Sequence, residues 1–500
     1  MENLPLDKEI SQVKDPPYSR PFHYPSGGAL PEKNCQGLAC FVARQLNPER
    51  WQAASSQHPR VYCLGKCYMA PARNSWGDDS RVEVHARKAI VLERIAAGGI
   101  HSLEEYTMFG GYEVLKKALL LSPEQIMQLV EISGLRERGG GGYFVGKKWQ
   151  AFFQQQHTEK AVVALTGDVA PGAGVDRFIL EEDPHRLIEA LLITGYAVGA
   201  RKGYIELPSE YSQAHFALQK ALNEAHQRGF LGCNLFGTDF SFKIELVVAP
   251  AGYICRERAA RIDSIENLLL ETKSLYPSPY HVALFDQSAL FSSVETLANV
   301  PWIIQNGGVA YKTLGSSKSR GTKVICLNSL FRNPGLYEIE FGLSLRYIVE
   351  NLGGGLKRGD LKGLIIGGPI AGIIPPDLID TPFGFEELQA IGASIGHGGM
   401  VGFSAQTSIA ALIQYVFAFA AYELCPGCTA LCRSGIQRIE QIFGQILERG
   451  SATLQEQEEW SLFVSTLPNL TETCGLSTGL TEFTQSVLRY YKRELKTYFK

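Results

Sequence analysis

Three cysteines, Cys425, Cys428 and Cys432, stand within eight positions of the stretch ELCPGCTALCRSG at 423–435, and Cys474 follows after 41 intervening residues. Four thiolates are what a [4Fe–4S] cube needs, one per iron. Tetrahedral zinc also accepts four cysteines. Zinc ribbons, however, use two C-x2-C pairs on hairpins, whereas this is a tight triplet plus one distant ligand amid helical patterns. A second group is formed by CQGLAC, holding Cys35 and Cys40, and CLGKC, holding Cys63 and Cys67, with 22 residues between the pairs. Two loops that each present a pair suit a [2Fe–2S] rhomb, because each pair need reach only one iron. Zinc is the competing reading there. The remaining cysteines, Cys233, Cys255 and Cys326, stand alone and read as buried small hydrophobes.

The other chemically unusual stretch is SGLRERGGGGYFVGKKW at 133–149. Four successive glycines, Gly139 to Gly142, let backbone amides approach an anionic or planar ligand, and Arg136, Arg138, Lys147 and Lys148 supply positive charge for a phosphate. The run matches neither a G-x-G-x-x-G fingerprint nor a P-loop. The ten histidines form no paired ligand pattern. His185 and His397 read as structural, the acidic runs at 180–184 and 454–460 as solvated faces, and the aromatic run Tyr415, Phe417, Phe419 and Tyr422 as bundle core.

Five hundred residues exceed a single core. With 45% hydrophobic and 20% charged residues the composition is that of a globular protein, and a net charge of −3 gives no electrostatic case for nucleic acid or an anionic membrane. The N-terminus lacks the basic and apolar regions of a signal peptide. The run SIAALIQYVFAFAAYEL is too short for a comfortable membrane span. These features predict a cytoplasmic protein without direct membrane insertion, in which clustered cysteines serve metals rather than disulfides. Residues 1–30 read as an extended arm and 31–100, with RVEVHARKAIVL, as a small α/β unit. Over 101–270, strand-like runs (KAVVALTG, GYIELP, FKIELVVAP) alternate with helical patterns, which predicts an α/β sandwich with mainly parallel pairing. Residues 271–310 look irregular within a 271–400 segment of linkers and a β-grasp-like module. Residues 401–500 read as a helical bundle.

The glycine-rich loop resembles the flavin-binding signature of the NADH-binding flavoprotein subunit of respiratory complex I and of related NAD-dependent hydrogenases and formate dehydrogenases. The resemblance continues in order through PGAGVDRFILEEDPHRLIEALLITGYAVGA, LGCNLFGTDFSF, AGYICRERAARIDSIE, SSVETLANVP, LIIGGPIAGIIP and DTPFGFEEL to the cysteine triplet and Cys474. Residues 31–100 are similar to that subunit's thioredoxin-like [2Fe–2S] partner, here fused at the N-terminus. The resemblance implies FMN reduced by NADH, with a [4Fe–4S] cluster accepting electrons singly. It places Arg138, Gly139, Gly140, Gly142, Lys148, Asp168 and Glu210 in the flavin and nicotinamide pocket.

The contact residues depart from the family pattern. Glu137 stands where the family has glycine, and Tyr143 where it has phenylalanine. Leu165, Gly167 and Ala170 replace an asparagine, an aspartate and a glutamate, leaving Asp168 as the acid of that motif. Pro208 replaces an arginine beside the kept Glu210 and Tyr211. Ser292 and Ser293 replace paired asparagines, and Arg256, Arg258 and Ala259 alter a further motif. All eight cysteines are kept, although the C-terminal triplet is one residue longer than usual and the N-terminal gap is shorter. These features predict an iron–sulfur electron-transfer subunit of a larger oxidoreductase, with impaired NADH chemistry and with further iron–sulfur and catalytic subunits as partners. A working FMN-dependent diaphorase and a structural subunit binding zinc or no metal are the alternatives.

Overall fold

The computed structural model describes residues 33–46, 60–61, 63–73, 81–156, 159–166, 173–249, 283–285, 287–424, 431–467 and 474–499. Asp168, Gly167, Ala170, Arg256, Arg258, Ala259, Cys255, Cys425 and Cys428 lie outside them, as does the 1–30 arm.

The apolar runs of the first half become a five-stranded sheet in the order 243–249, 202–208, 160–165, 287–293, 283–284. All neighbours pair in parallel except the short edge strand 283–284. Parallel pairing demands crossover helices that bury both faces of the strands, which accounts for their unbroken apolar character. The crossover helix Pro184–Val198 is buried on nearly every side; proline opens it, and Gly199 closes it at φ 72°. Strand 287–293, in a region that looked irregular, pairs along its length with 160–165, Ala164 beside Ser292 and Leu165 beside Ser293. Its small hydroxyl residues concealed it. The helices Val294–Ala298, Val300–Asn306 and Gly308–Lys312 follow at once, so the α/β unit extends well beyond residue 270.

A six-stranded mixed sheet has the order 373–374, 361–366, 399–404, 322–327, 335–340, 82–85. Its outermost member corrects the sequence reading. The VEVH of RVEVHARKAIVL does not belong to the small N-terminal unit but pairs in parallel with 335–340. The buried Glu338 carboxylate fixes this junction, accepting the N–H groups of Ile90, Val91 and Leu92 at 2.8 to 3.1 Å and the Thr322 hydroxyl at 2.6 Å. Among the described residues, the N-terminal unit keeps a parallel pair, 34–35 with 60–61, the helix Leu38–Gln45 and a short helical turn Cys67–Met69.

From residue 409 the described residues are mainly helical. Ser408 caps Ile409–Tyr422, and Thr453 with Glu456 forms a capping box for Leu454–Thr466. The helices Ile436–Arg449 and Gly475–Tyr490 complete the bundle. One continuous apolar core runs from Leu38 to Leu495, so these parts are packed as one body. Among the described residues no helix is long and apolar enough to cross a membrane.

Candidate functional site

Cys35 ends a strand, Cys40 lies on the first helix, and Cys63 and Cys67 flank the turn after residue 61; all four are buried. The fold brings their sulfurs together. Cys40 and Cys63 donate to Cys35, which holds the Cys35 thiol well below its ordinary pKa; the same bonds, with burial, push Cys40 and Cys63 well above theirs. Backbone N–H groups also point at sulfur, Gly65 to Cys63 at 3.4 Å and Ala72 to Cys40 at 3.3 Å. Buried thiols with amide donors aimed at them suit an iron–sulfur rhomb, whose thiolates carry charge that such donors stabilise. Among the described residues no three His, Cys, Asp or Glu side chains converge on one metal-ion position.

Two surfaces hold this unit. On one side the Cys63–Cys67 turn lies on the start of the helix Val175–Glu182. The Cys67 thiol donates to the Ala173 carbonyl at 3.6 Å, Arg177 donates to the Tyr68 hydroxyl at 2.9 Å, and Gly65 adopts φ 65° against Tyr211 and Arg177. The turn therefore abuts the residue that follows the LTGDVAPG motif. On the other side Phe41 stacks on Tyr415 at 4.3 Å between centroids, and the Tyr415 hydroxyl donates to the Gln36 carbonyl at 2.9 Å. Burial, with the nearby thiols of Cys35, Cys40 and Cys63, raises the Tyr415 pKa well up, so it stays a donor.

Tyr415 thus serves the cysteine unit rather than the bundle core. Aromatic residues at i, i+2 and i+4 of a helix cannot share one face, and here Phe417 turns to Trp460 and Phe463 while Tyr415 turns to Phe41. That spacing was the available signal. Tyr415→Ala is expected to lower iron retention at the N-terminal cysteines and to speed proteolysis before residue 73. Tyr415→Phe, which keeps the stack, should lose far less on both measures.

The helix carrying Tyr415 ends at Tyr422, about 10 Å further along its axis and three residues before Cys425. Cys432 is buried, and Cys474 stands at the start of Gly475–Tyr490 with its thiol 3.6 Å from the Ser477 hydroxyl. Of the lone cysteines Cys326 is buried, but Cys233 is exposed, in the turn between a helix and a strand. His185 is engaged at both ring nitrogens, with Tyr112 at 3.0 Å and Glu224 at 3.1 Å, and burial lowers its pKa.

The glycine-rich loop meets the carboxyl ends of the parallel strands, where open α/β sheets take their ligands. Gly140 and Gly142 have φ of 103° and 61°, and a Cβ on Gly139 would press on Ser293 and His397. The loop's cations are engaged with the protein or exposed. The Arg138 guanidinium points into the core, donating to the Tyr311 hydroxyl and the Arg320 carbonyl over the Phe341 ring. Arg136 pairs with Glu386 at 2.6 Å, and Lys147 is exposed. Lys148 is buried and pairs with Glu137 at 2.7 Å. Glu210 accepts the Ser209 hydroxyl at 3.1 Å, while Leu165 packs against the apolar cluster of Ala161, Val163 and Phe291.

A model of the Nuo51 FMN-binding domain matches residues 130–302, and one of the NADH-ubiquinone oxidoreductase-F iron–sulfur binding region matches residues 411–498. The F 2 subunit of the NADH-quinone oxidoreductase of Rhizobium meliloti is 32% identical over 407 residues, covering 81% of this chain and 96% of that one. The chain belongs to the family of NADH-quinone oxidoreductase F subunits. Its relatives include the NADP-reducing hydrogenase subunit HndC of Solidesulfovibrio fructosivorans, 34% identical over 75% of this chain and 76% of its own. The fold agrees with a chain of the NAD+-reducing [NiFe]-hydrogenase in the H2-reduced state, with a TM-score of 0.77 at 21% identity over 94% of this chain and 84% of that one. This family membership makes the chain an oxidoreductase flavoprotein-type subunit, with an FMN-binding-domain match and a [4Fe–4S]-region match in one polypeptide.

Proposed function

We propose that this chain is an iron–sulfur electron-transfer subunit of a multi-subunit oxidoreductase in which the flavin and nicotinamide pocket has lost its usual contacts. Cys425, Cys428, Cys432 and Cys474 would hold a [4Fe–4S] cluster, and Cys35, Cys40, Cys63 and Cys67 a [2Fe–2S] cluster. Both would supply one-electron carriage. The protein's part is to exclude water from the thiols, to aim amide donors at them and to fix their separation. The observation that carries the reading is that four buried N-terminal thiols gather against the very helix that leads into the C-terminal triplet. Its partners would be further iron–sulfur and catalytic subunits; the relatives are named as subunits of larger oxidoreductases. A cytoplasmic location follows from eight clustered thiols, which need a reducing compartment.

A second reading, an FMN-dependent diaphorase with a modified pocket, is favoured by the FMN-binding-domain match over 130–302. Anaerobic purification followed by iron, sulfide, zinc and flavin assays, with EPR after NADH and after dithionite, separates the two. The relay predicts about six irons per chain, no stoichiometric flavin, and signals with dithionite alone. Stoichiometric FMN with signals on NADH would overturn the altered pocket in favour of the diaphorase. Zinc in place of iron would overturn both.

A further inference from the structure

Glu137 is buried, and its carboxylate is met by an ammonium, two hydroxyls and an amide. The Lys148 ammonium lies 2.7 Å from Oε1. The Ser292 hydroxyl lies 3.0 and 3.1 Å from the two oxygens, the Thr296 hydroxyl 3.0 Å from Oε2, and the Ser293 N–H 3.5 Å from Oε2. Thr296 is itself held by the Arg138 N–H at 2.7 Å and by Ser293. A buried ammonium, two hydroxyls and an amide converging on one point form an anion cradle. The match to an FMN-binding domain spans every residue of it. In this chain the anion in the cradle belongs to the protein.

We propose that Glu137 is a built-in anion that sets this pocket against phosphomonoester ligands, so that the site discriminates against FMN in favour of a phosphate-free flavin or none. The inference rests on the altered-pocket reading and names the ligand class that the alteration rejects. The charge count decides it. Lys148 balances Glu137, and the loop's other cations are engaged with Glu386, with the core or with solvent. A phosphomonoester carries about −1.5 to −2. Seated beside Glu137 it would set like charges together in a buried site that, among the described residues, holds one cation, Lys148, and it would find the hydroxyls already bonded. Without the carboxylate, Lys148 and its three companion donors would face an empty anion-sized space.

The test uses the full chain and its Glu137→Ala, Glu137→Gln and Glu137→Ala/Lys148→Met variants, with FMN, riboflavin and inorganic phosphate as probes followed by calorimetry and flavin fluorescence. The wild-type chain should bind FMN no more tightly than riboflavin and show no saturable phosphate binding. Glu137→Ala should gain phosphate binding and prefer FMN over riboflavin by about tenfold or more, the worth of a charge-assisted hydrogen bond, and adding Lys148→Met should erase that gain. If Glu137→Ala does not fold, Glu137→Gln decides, since it removes the charge and keeps the shape; it should shift in the same direction. A wild-type preference of that size for FMN, or folded variants that gain nothing, would overturn the proposal. Iron content and dithionite EPR on the same samples test the relay separately: missing clusters would sink that reading and leave the phosphate result to stand or fall alone.

Discussion

A Gly174→Val chain is expected to purify with about four irons in place of about six, losing the N-terminal pair while the C-terminal cluster signal persists. The cause is a backbone contact. A Cβ on Gly174 would stand 2.2 Å from the Gly65 carbonyl oxygen, a distance that requires movement. Gly65 cannot yield easily. It lies in the left-handed region at φ 65° and is wedged against the Tyr211 hydroxyl and the Arg177 side chain. The turn that presents Cys63 and Cys67 must therefore lift, which breaks the Cys67 bond to Ala173 and separates two sulfurs from Cys35 and Cys40. The measurement is iron and sulfide per chain with EPR after dithionite. Full iron content in a folded Gly174→Val chain would show that this turn does not fix the N-terminal thiols.

That prediction depends on residues no local pattern connects, which marks what the sequence could disclose. Cysteine spacing is local and chemically loud, so the N-terminal thiols that the fold gathers were legible from it; of the C-terminal group, Cys425 and Cys428 lie outside the described residues. The parallel strands at 160–165 and 202–208 were legible because burial on both faces makes apolar runs, and the edge strand 243–249 was legible from its apolar run although it is only partly buried. Strand 287–293 was hidden, since a run ending in two serines carries no such signal. Strand 82–85 was visible as a strand but not by partner, because its neighbour lies some 250 residues away. Glu137 was conspicuous as an acid in a basic loop. That it would be satisfied from Ser292 and Thr296, more than 150 residues on, is a tertiary fact. Arg138 shows the converse: its position in the loop argued for a ligand, and its guanidinium went to the core.

Lys323→Met should be the most destabilising single substitution among the buried charges joining the two sheets, at about 3–5 kcal/mol. Lys323 is fully buried on strand 322–327, and its ammonium meets the Glu295 carboxylate on the helix after strand 287–293, donating also to the Val324 carbonyl at 2.8 Å and the His397 carbonyl at 3.1 Å. Removing the cation strands a carboxylate that is 3% exposed and leaves two carbonyls without their donor. The double variant Lys323→Met/Glu295→Met should recover part of the loss, because the unpaired charge goes with it. It should not recover all, since the Val324 N–H, which bonds Glu295 at 2.9 Å, would then be unsatisfied. Arg346→Ala supplies the contrast. Its pair with Asp380 is also short, at 2.7 Å, but the side chains are 45% and 72% exposed, so solvent screens the pair and its loss should move the midpoint little. Urea midpoints for these three variants and the wild-type chain test the ordering. Because a Cβ on Gly139 would touch His397, the same cation also backs the glycine-rich loop, so Lys323→Met should loosen the pocket as well as the fold. If Lys323→Met and Arg346→Ala shift the midpoint equally, the buried pair does not clamp the two sheets together.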